Sequence, residues 1–209
     1  MVECAVMAII AYLIGSINFS VILSKKMAGF DVREKGSGNA GTTNMLRSVG
    51  KKAAAITLVL DILKGVVAIL IAMAIGRIFE NSNGALLVQV AGVAVILGHT
   101  FPIFFKFKGG KGVATSLGVL IMSNWQIGLI CLVFALILIA LTQMVSVGSI
   151  AAAILYPVLT LFIPQNYIVP GNYLIYSIVL AVIIVFNHRE NVKRLLSGTE
   201  NKISFKTVK

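Results

Sequence analysis

The sequence predicts an all-α fold, a polytopic membrane helix bundle of about seven transmembrane helices with one or two of them short, and three observations carry that prediction. The residues AVILMFWYC fill 58% of the 209 positions and charged residues only 12%, whereas a soluble domain carries about 25% charged residues. The mean hydropathy is +0.98. Lys and Arg number 18 against 7 Asp and Glu, a net charge of +11, which points either to basic cytoplasmic loops or to anionic ligands. A span consumes ~20 apolar residues, so seven spans with their loops form one integral-membrane domain over 1–209. Functional groups must then come from loops and helix ends.

The apolar runs fall in order along the chain. Residues 2–23 have Glu3 ahead of them and Lys25 and Lys26 behind, the reverse of a cleavable signal peptide's charge order; this run is expected to be an uncleaved first span with its N-terminus outside. A polar, glycine-bearing stretch follows to Lys52. Further apolar runs lie at 53–76, 84–105, 113–122, 127–141, 147–163 and 172–186. The stretch 113–141 is broken by Ser123-Asn124-Trp125-Gln126, and it reads either as one tilted span or as two short ones joined by a turn. Charge decides. With two spans, the inner side collects seven Lys/Arg from 25–52, three from 105–112 and six from the tail (Arg189, Lys193, Arg194, Lys202, Lys206, Lys209), against Arg77 alone outside. That asymmetry places the C-terminus in the cytoplasm. The run 113–122 is only ~15 Å long as helix and need not cross fully. No internal repeat aligns.

Several chemistries are excluded by residue type. The aromatic residues lie mostly within apolar runs rather than between basic residues, so nucleic acid is not an expected partner. Cys4 and Cys131 sit alone in apolar segments and behave as small hydrophobes. No cluster of Asp, Glu, His and Cys offers a metal site, and no cofactor is expected. Asp61 and Lys64, i and i+3 on the second span, are expected to neutralise each other.

Four polar segments share the inner face. The first is Gly36-Ser37-Gly38-Asn39-Ala40-Gly41-Thr42-Thr43-Asn44-Met45-Leu46-Arg47. Three glycines in six residues allow close backbone approach to an anion, and Ser37, Asn39, Thr43, Asn44 and Arg47 add donors; the same composition also suits a plain glycine turn with a polar helix cap. The second runs from His99 to Gly109-Gly110-Lys111-Gly112-Val113-Ala114-Thr115-Ser116, glycines and a lysine leading into a helix. That combination favours phosphate, although the match to a nucleotide-binding loop is incomplete. Lys106 and Lys108 read as topology anchors, His99 as structural, and Lys111 as a ligand-binding group. The third is Ser146-Val147-Gly148-Ser149. In the fourth, His188 and Asn191 stand three apart on one helix face, and surrounding positive charge should bias His188 towards its neutral form. Together they describe a cationic basin on one side of the bilayer.

The runs GSGNAGTTNMLR, GHTFPIFFKFKGGKGVAT and HRENVKRLLSGTE strongly resemble the bacterial integral-membrane acyl-phosphate:glycerol-3-phosphate acyltransferases, in the same order and from first span to tail. Gln143-Met144, ahead of Ser146, depart from a basic-aromatic pair frequent in that family. The resemblance implies transfer of a fatty acyl group from acyl phosphate to the 1-hydroxyl of sn-glycerol 3-phosphate, giving lysophosphatidic acid and phosphate, at the cytoplasmic face of the bacterial inner membrane. It also implies a soluble phosphate acyltransferase upstream as a functional partner. On this reading Ser37, Gly38, Asn39, Gly41, Thr43, Asn44, Arg47, Gly109, Gly110, Gly112, Thr115 and Ser149 bind phosphate, and Lys111, Ser146, His188 and Asn191 are catalytic. The family mechanism lets a phosphate oxygen of the donor take the hydroxyl proton; the competing version makes His188 the base. The alternative function for the same basin is an organic-anion or phosphate transporter.

Overall fold

A computed structural model describes residues 2–79, 83–163 and 168–203; Lys206 and Lys209 of the basic tail lie outside the described residues. Regular structure among these is helical throughout: α1 (Val2–Gly15), α2 (Phe19–Ala28), α3 (Thr42–Ser48), α4 (Lys51–Ile78), α5 (Gly84–Thr100), α6 (Val113–Ser123), α7 (Trp125–Thr142), α8 (Val145–Phe162), α9 (Leu174–Asn187) and α10 (Arg189–Leu196). Five stretches are long and apolar enough to cross a membrane: Val2–Ala28, α4, α5 continued to Phe105, α7 and α8. Helix α9 passes that test only when joined across a 61° bend to α10, the basic helix that follows it, and α6 is the short apolar helix. Each apolar run of the sequence therefore contains a helix.

The 113–141 stretch is two helices. The Asn124 amide N–H closes α6 on the Leu120 carbonyl at 2.7 Å, and its side-chain oxygen accepts from the Ile127 N–H at 3.1 Å to start α7. An asparagine can end one helix and cap the next because its side chain substitutes for a missing carbonyl. The first span is not the uninterrupted helix its apolar run implies. It breaks at Ser16-Ile17-Asn18, where Asn18 caps α2 by accepting from the Val21 N–H. A break inside hydrocarbon needs donors for the freed carbonyls. Lys64 supplies them, donating to the Gly15 and Ile17 carbonyls at 3.2 and 3.1 Å while it pairs with Asp61 at 2.8 Å. The buried pair thus does more than neutralise itself; it ties α4 to the kink of the first span.

Large apolar side chains such as Ile9, Leu70, Leu136 and Val182 point outward, more than 45% exposed, as a lipid-facing surface requires. Inside, helices meet through small residues, because backbone packing replaces the hydrophobic drive that lipid removes. A Cβ on Gly15 would lie 2.1 Å from the Val95 carbonyl and one on Gly98 2.2 Å from the Tyr12 carbonyl, which locks α1 to α5. The crossing of α4 and α6 uses Gly65 against the Thr115 carbonyl and Gly118 against that of Ile62 in the same way. A separate small cluster of Val21, Val32, Ala40, Met45, Ala53 and Ala54 is buried beneath the 36–47 loop and gives it a floor.

Candidate active site

The 36–47 loop is a built turn. Gly36 and Gly38 have φ of +59° and +70°, and a side chain on Gly36 would run into Asn44 and Ser48; only glycine suits that combination. Asn44 is the brace. Its oxygen accepts from the Ser37 N–H at 2.9 Å, and its NH2 donates to the Val32 and Lys35 carbonyls at 2.8 and 3.0 Å. With both amide hydrogens committed to the chain, Asn44 shapes the loop in this conformation instead of presenting donors to a ligand. Ser37 and Gly38 are exposed at the rim, and Asn39, Gly41, Thr43 and Arg47 are half-buried.

The Gly109–Gly112 segment packs directly against this loop. The Ala40 N–H reaches the Gly109 carbonyl at 3.4 Å, and Gly109 and Gly110 donate to the Thr100 and His99 carbonyls at the end of α5. Gly110 is wedged between the His99 ring and the Ala40 carbonyl with no space for a Cβ. Gly112, at φ +84°, turns the chain into α6. His99 is itself buried, its Nδ1 3.6 Å from Asp61. The tight seat of these glycines leaves Lys111 projecting across to α10, where its Nζ donates to the Asn191 side-chain oxygen. Asn187 secures the other side of the segment by donating to the Thr100 hydroxyl and the Lys111 carbonyl at 3.1 and 3.3 Å.

His188 stands at the bend between α9 and α10 and is buried along with Asn191. Its Nδ1 lies 2.8 Å from the Ile184 carbonyl. A carbonyl only accepts, so Nδ1 carries the hydrogen and Nε2 keeps a free lone pair. Burial, and next the charge of Lys111, push the imidazole down to about 4. His188 is therefore neutral at physiological pH, an acceptor but a weak base. Burial, followed by the neighbouring Arg194, lowers Lys111 to about 8, against the opposing pull of Glu200.

Glu200 is the member of the site that residue-type reasoning missed. Its carboxylate accepts from the Ser146 hydroxyl at 2.8 Å and the Asn191 amide at 2.7 Å through one oxygen, and from Arg194 Nε at 2.8 Å through the other. Burial opposes its charge, but these three donors outweigh it and hold the carboxyl below the usual range. Arg47 joins through Nη2, which donates to the Asn201 carbonyl at 3.3 Å, and the Ile203 N–H meets the Gln143 carbonyl at 2.7 Å. The segment 199–203 thereby straps α3, α8 and α10 together.

Lys111, Ser146, Asn191, Arg47 and Arg194 accordingly form one cluster, with His188 at its base. Of the candidates outside it, the Ser149 hydroxyl is spent on the Val145 carbonyl of its own helix at 2.9 Å, and Thr115 is fully buried, its hydroxyl without a hydrogen-bond partner among the described residues. Beside the cluster an apolar cavity of about 100 Å³ opens between α6, α7, α8 and α9. Val113, Ser149 and Ile184 stand at its polar end, and Leu120, Cys131 and Tyr156 line its deeper part. No group of three or more metal-binding side chains occurs among the described residues.

The chain is similar to known proteins over nearly its whole length. A glycerol-3-phosphate acyltransferase from Thermoanaerobacter pseudethanolicus is 46% identical over 200 residues, covering 96% of each chain. One from Clostridioides difficile is 42% identical over 201 residues, again with 96% of each covered. The crystal structure of PlsY (YgiH), an integral membrane glycerol 3-phosphate acyltransferase in its glycerol 3-phosphate form, superposes with a TM-score of 0.85 at 38% identity, covering 96% of both chains. The glycerol-3-phosphate acyltransferase family matches residues 5–198, which include all four polar segments and the bend at His188, and the chain belongs to that family.

Proposed function

We propose that the protein transfers a fatty acyl group from an acyl phosphate to the 1-hydroxyl of sn-glycerol 3-phosphate, releasing lysophosphatidic acid and phosphate, with its site on the cytoplasmic side of a bacterial inner membrane. The observation that carries this reading is the meeting of a cationic cluster, Lys111, Arg47 and Arg194, with the apolar cavity walled by Leu120, Cys131 and Tyr156. A donor with a phosphate head and an alkyl tail needs both. The related PlsY has been solved in a glycerol 3-phosphate form and in a lysophosphatidic acid form, which fits a site for this acceptor and this product.

An acyl phosphate is a mixed anhydride, so positioning and charge stabilisation suffice and no enzyme nucleophile is needed. The acceptor oxygen bonds to the carbonyl carbon, the bond from that carbon to the phosphate oxygen breaks, and the departing phosphate takes the hydroxyl proton. Lys111 and Arg47 hold the phosphate as its charge grows, with Ser37, Asn39 and Thr43 at the rim. Ser146 and Asn191 orient the reacting oxygens. His188, neutral and titrating near 4, orients the acceptor hydroxyl through Nε2 and leaves proton removal to the phosphate. A soluble phosphate acyltransferase supplies the donor on this reading, since nothing in this cluster activates a free fatty acid.

The test is purified protein with glycerol 3-phosphate and one of three donors: acyl phosphate, acyl-CoA or acyl-carrier protein. Lysophosphatidic acid is expected with the first alone, in detergent and without a sealed vesicle; equal turnover of acyl-CoA overturns the donor assignment. A transporter using the same basin yields no product under those conditions. His188→Ala should lower kcat by ~10²-fold, the cost of a misplaced reactant, while the pH profile keeps its shape. Loss of an acid limb near 4 would instead make His188 the base.

A further inference from the structure

The segment between α5 and the Gly109–Gly112 loop is not consumed by the acyl-transfer site, and its construction is unusual. Phe101, Ile103, Phe104 and Phe107 are 44, 47, 62 and 56% exposed. Lys106 and Phe107, neither of them glycine, adopt successive left-handed conformations at φ +57° and +58°, which persist only where surrounding structure enforces them. Here Arg33 enforces them. Its Nη1 donates to the Phe105 and Lys108 carbonyls at 2.8 and 2.9 Å, while Asp31 fixes its other nitrogens at 2.9 and 2.7 Å. The Phe105 and Phe107 N–H groups both donate to the Pro102 carbonyl, and Tyr12 of α1 donates to the Phe101 carbonyl at 2.7 Å. The loop is rigid, and what it holds rigidly is a set of aromatic rings turned outward.

The surroundings identify what meets those rings. The contact with Tyr12 and Ser16 places the loop beside the exposed Leu13 and Ile17 of the first span, so its apolar face continues the lipid-facing surface. Lys106 and Lys108 are exposed within it, and Lys25 and Lys26 are exposed at the end of α2. Aromatic rings interleaved with lysines at the hydrocarbon edge match the interfacial layer of a bilayer rich in anionic lipid.

We propose that residues 101–108 form a lipid-binding wedge, in which Phe104 and Phe107 insert into the leaflet on the active-site side and Lys106 and Lys108 engage the phosphates of anionic headgroups. The next residue, Gly109, is bonded to Ala40 and Thr100, so the wedge sets the depth at which the phosphate-binding loops meet the membrane. This inference rests on the membrane-spanning fold and not on the identity of the acyl donor.

The test needs no activity measurement. Phe104→Trp is made in a Trp125→Phe background and reconstituted in nanodiscs of phosphatidylcholine and phosphatidylglycerol, one lipid brominated at a time. Bromolipid should quench the new tryptophan and acrylamide should not. Brominated phosphatidylglycerol should quench more than brominated phosphatidylcholine at equal mole fraction, reflecting a local enrichment of roughly fivefold per lysine. Lys106→Gln with Lys108→Gln should abolish that difference while bromolipid quenching persists. Acrylamide quenching without bromolipid quenching, in both Phe104→Trp and a parallel Phe107→Trp protein, overturns the wedge. Equal quenching by the two lipids in protein with both lysines intact overturns the headgroup assignment. A ring that leaves water only when a soluble protein fraction is added overturns both and identifies a protein partner.

Discussion

Lys111 is the residue whose chemistry is most exposed to pH. Held between the glycines that pack on His99 and Ala40, its ammonium reaches Asn191 and titrates at about 8. The ordinary value for a lysine is well above this, and the lowering comes first from burial and then from Arg194. A lysine binds phosphate only when protonated, so affinity is full below about 8 and falls as pH rises through it. The expected result is a KM for a phosphate substrate that climbs above that pH, with kcat falling alongside. Lys111→Arg keeps a charge that does not titrate in this range and should shift the limb upward. Lys111→Gln should remove the limb and leave a high KM at every pH; an unchanged KM for both substrates would count against the lysine as a phosphate ligand.

The elements that matter most are short: the bend between α9 and α10 and the strap after α10. Glu200 ties Ser146 of α8 to Asn191 and Arg194 of α10, and its side chain is only 4% exposed. Glu200→Gln keeps the size but loses the charge-assisted character of these bonds, a cost of about 1–2 kcal/mol. The carboxyl is held below its ordinary range in the folded protein. Its contribution is therefore complete above the unfolded value and disappears as pH falls through the folded one. Thermal unfolding should show the variant less stable than the parent at neutral pH and the gap closing in acid; a gap that widens in acid would show that the carboxylate is not the stabilising form. This glutamate was illegible in the sequence because one of two acids among six basic tail residues looks like a solvated charge, and only the fold brings Ser146 to it. Asn44 and Ser149 illustrate the converse. Their types suit ligand binding, but each finds a backbone partner nearby, and residue type alone does not say which partner wins. By contrast, Lys111 is singled out by its flanking glycines alone, whereas the roles expected for Ser146, His188 and Asn191 come from the family resemblance.

At the scale of the whole molecule, the contacts between Lys111 and Asn191 and between Arg47 and Asn201 require the first, second and last polar segments to lie on one side of any bilayer. The apolar runs made the helices legible, and charge parity chose the division at Asn124 that the runs had left open. They did not reveal the kink at Ser16–Asn18, because its polarity is local and is answered by Lys64 from another helix. The proposed topology, drawn from charge bias, puts the shared side in the cytoplasm, and cysteine accessibility tests that proposal directly. Cys131 is buried, and Cys4, half-buried near the N-terminus, is replaced by Ala so that the background for a membrane-impermeant thiol reagent is low. In right-side-out vesicles Ser37→Cys and Ser197→Cys should be protected until the membrane is opened, whereas Trp125→Cys, 57% exposed at the α6–α7 turn, should label at once. Protection of all three would mean that the α6–α7 hairpin turns back before reaching the far surface. Labelling of Ser37→Cys but not Ser197→Cys would separate the phosphate loop from His188 and remove the basis for a single site.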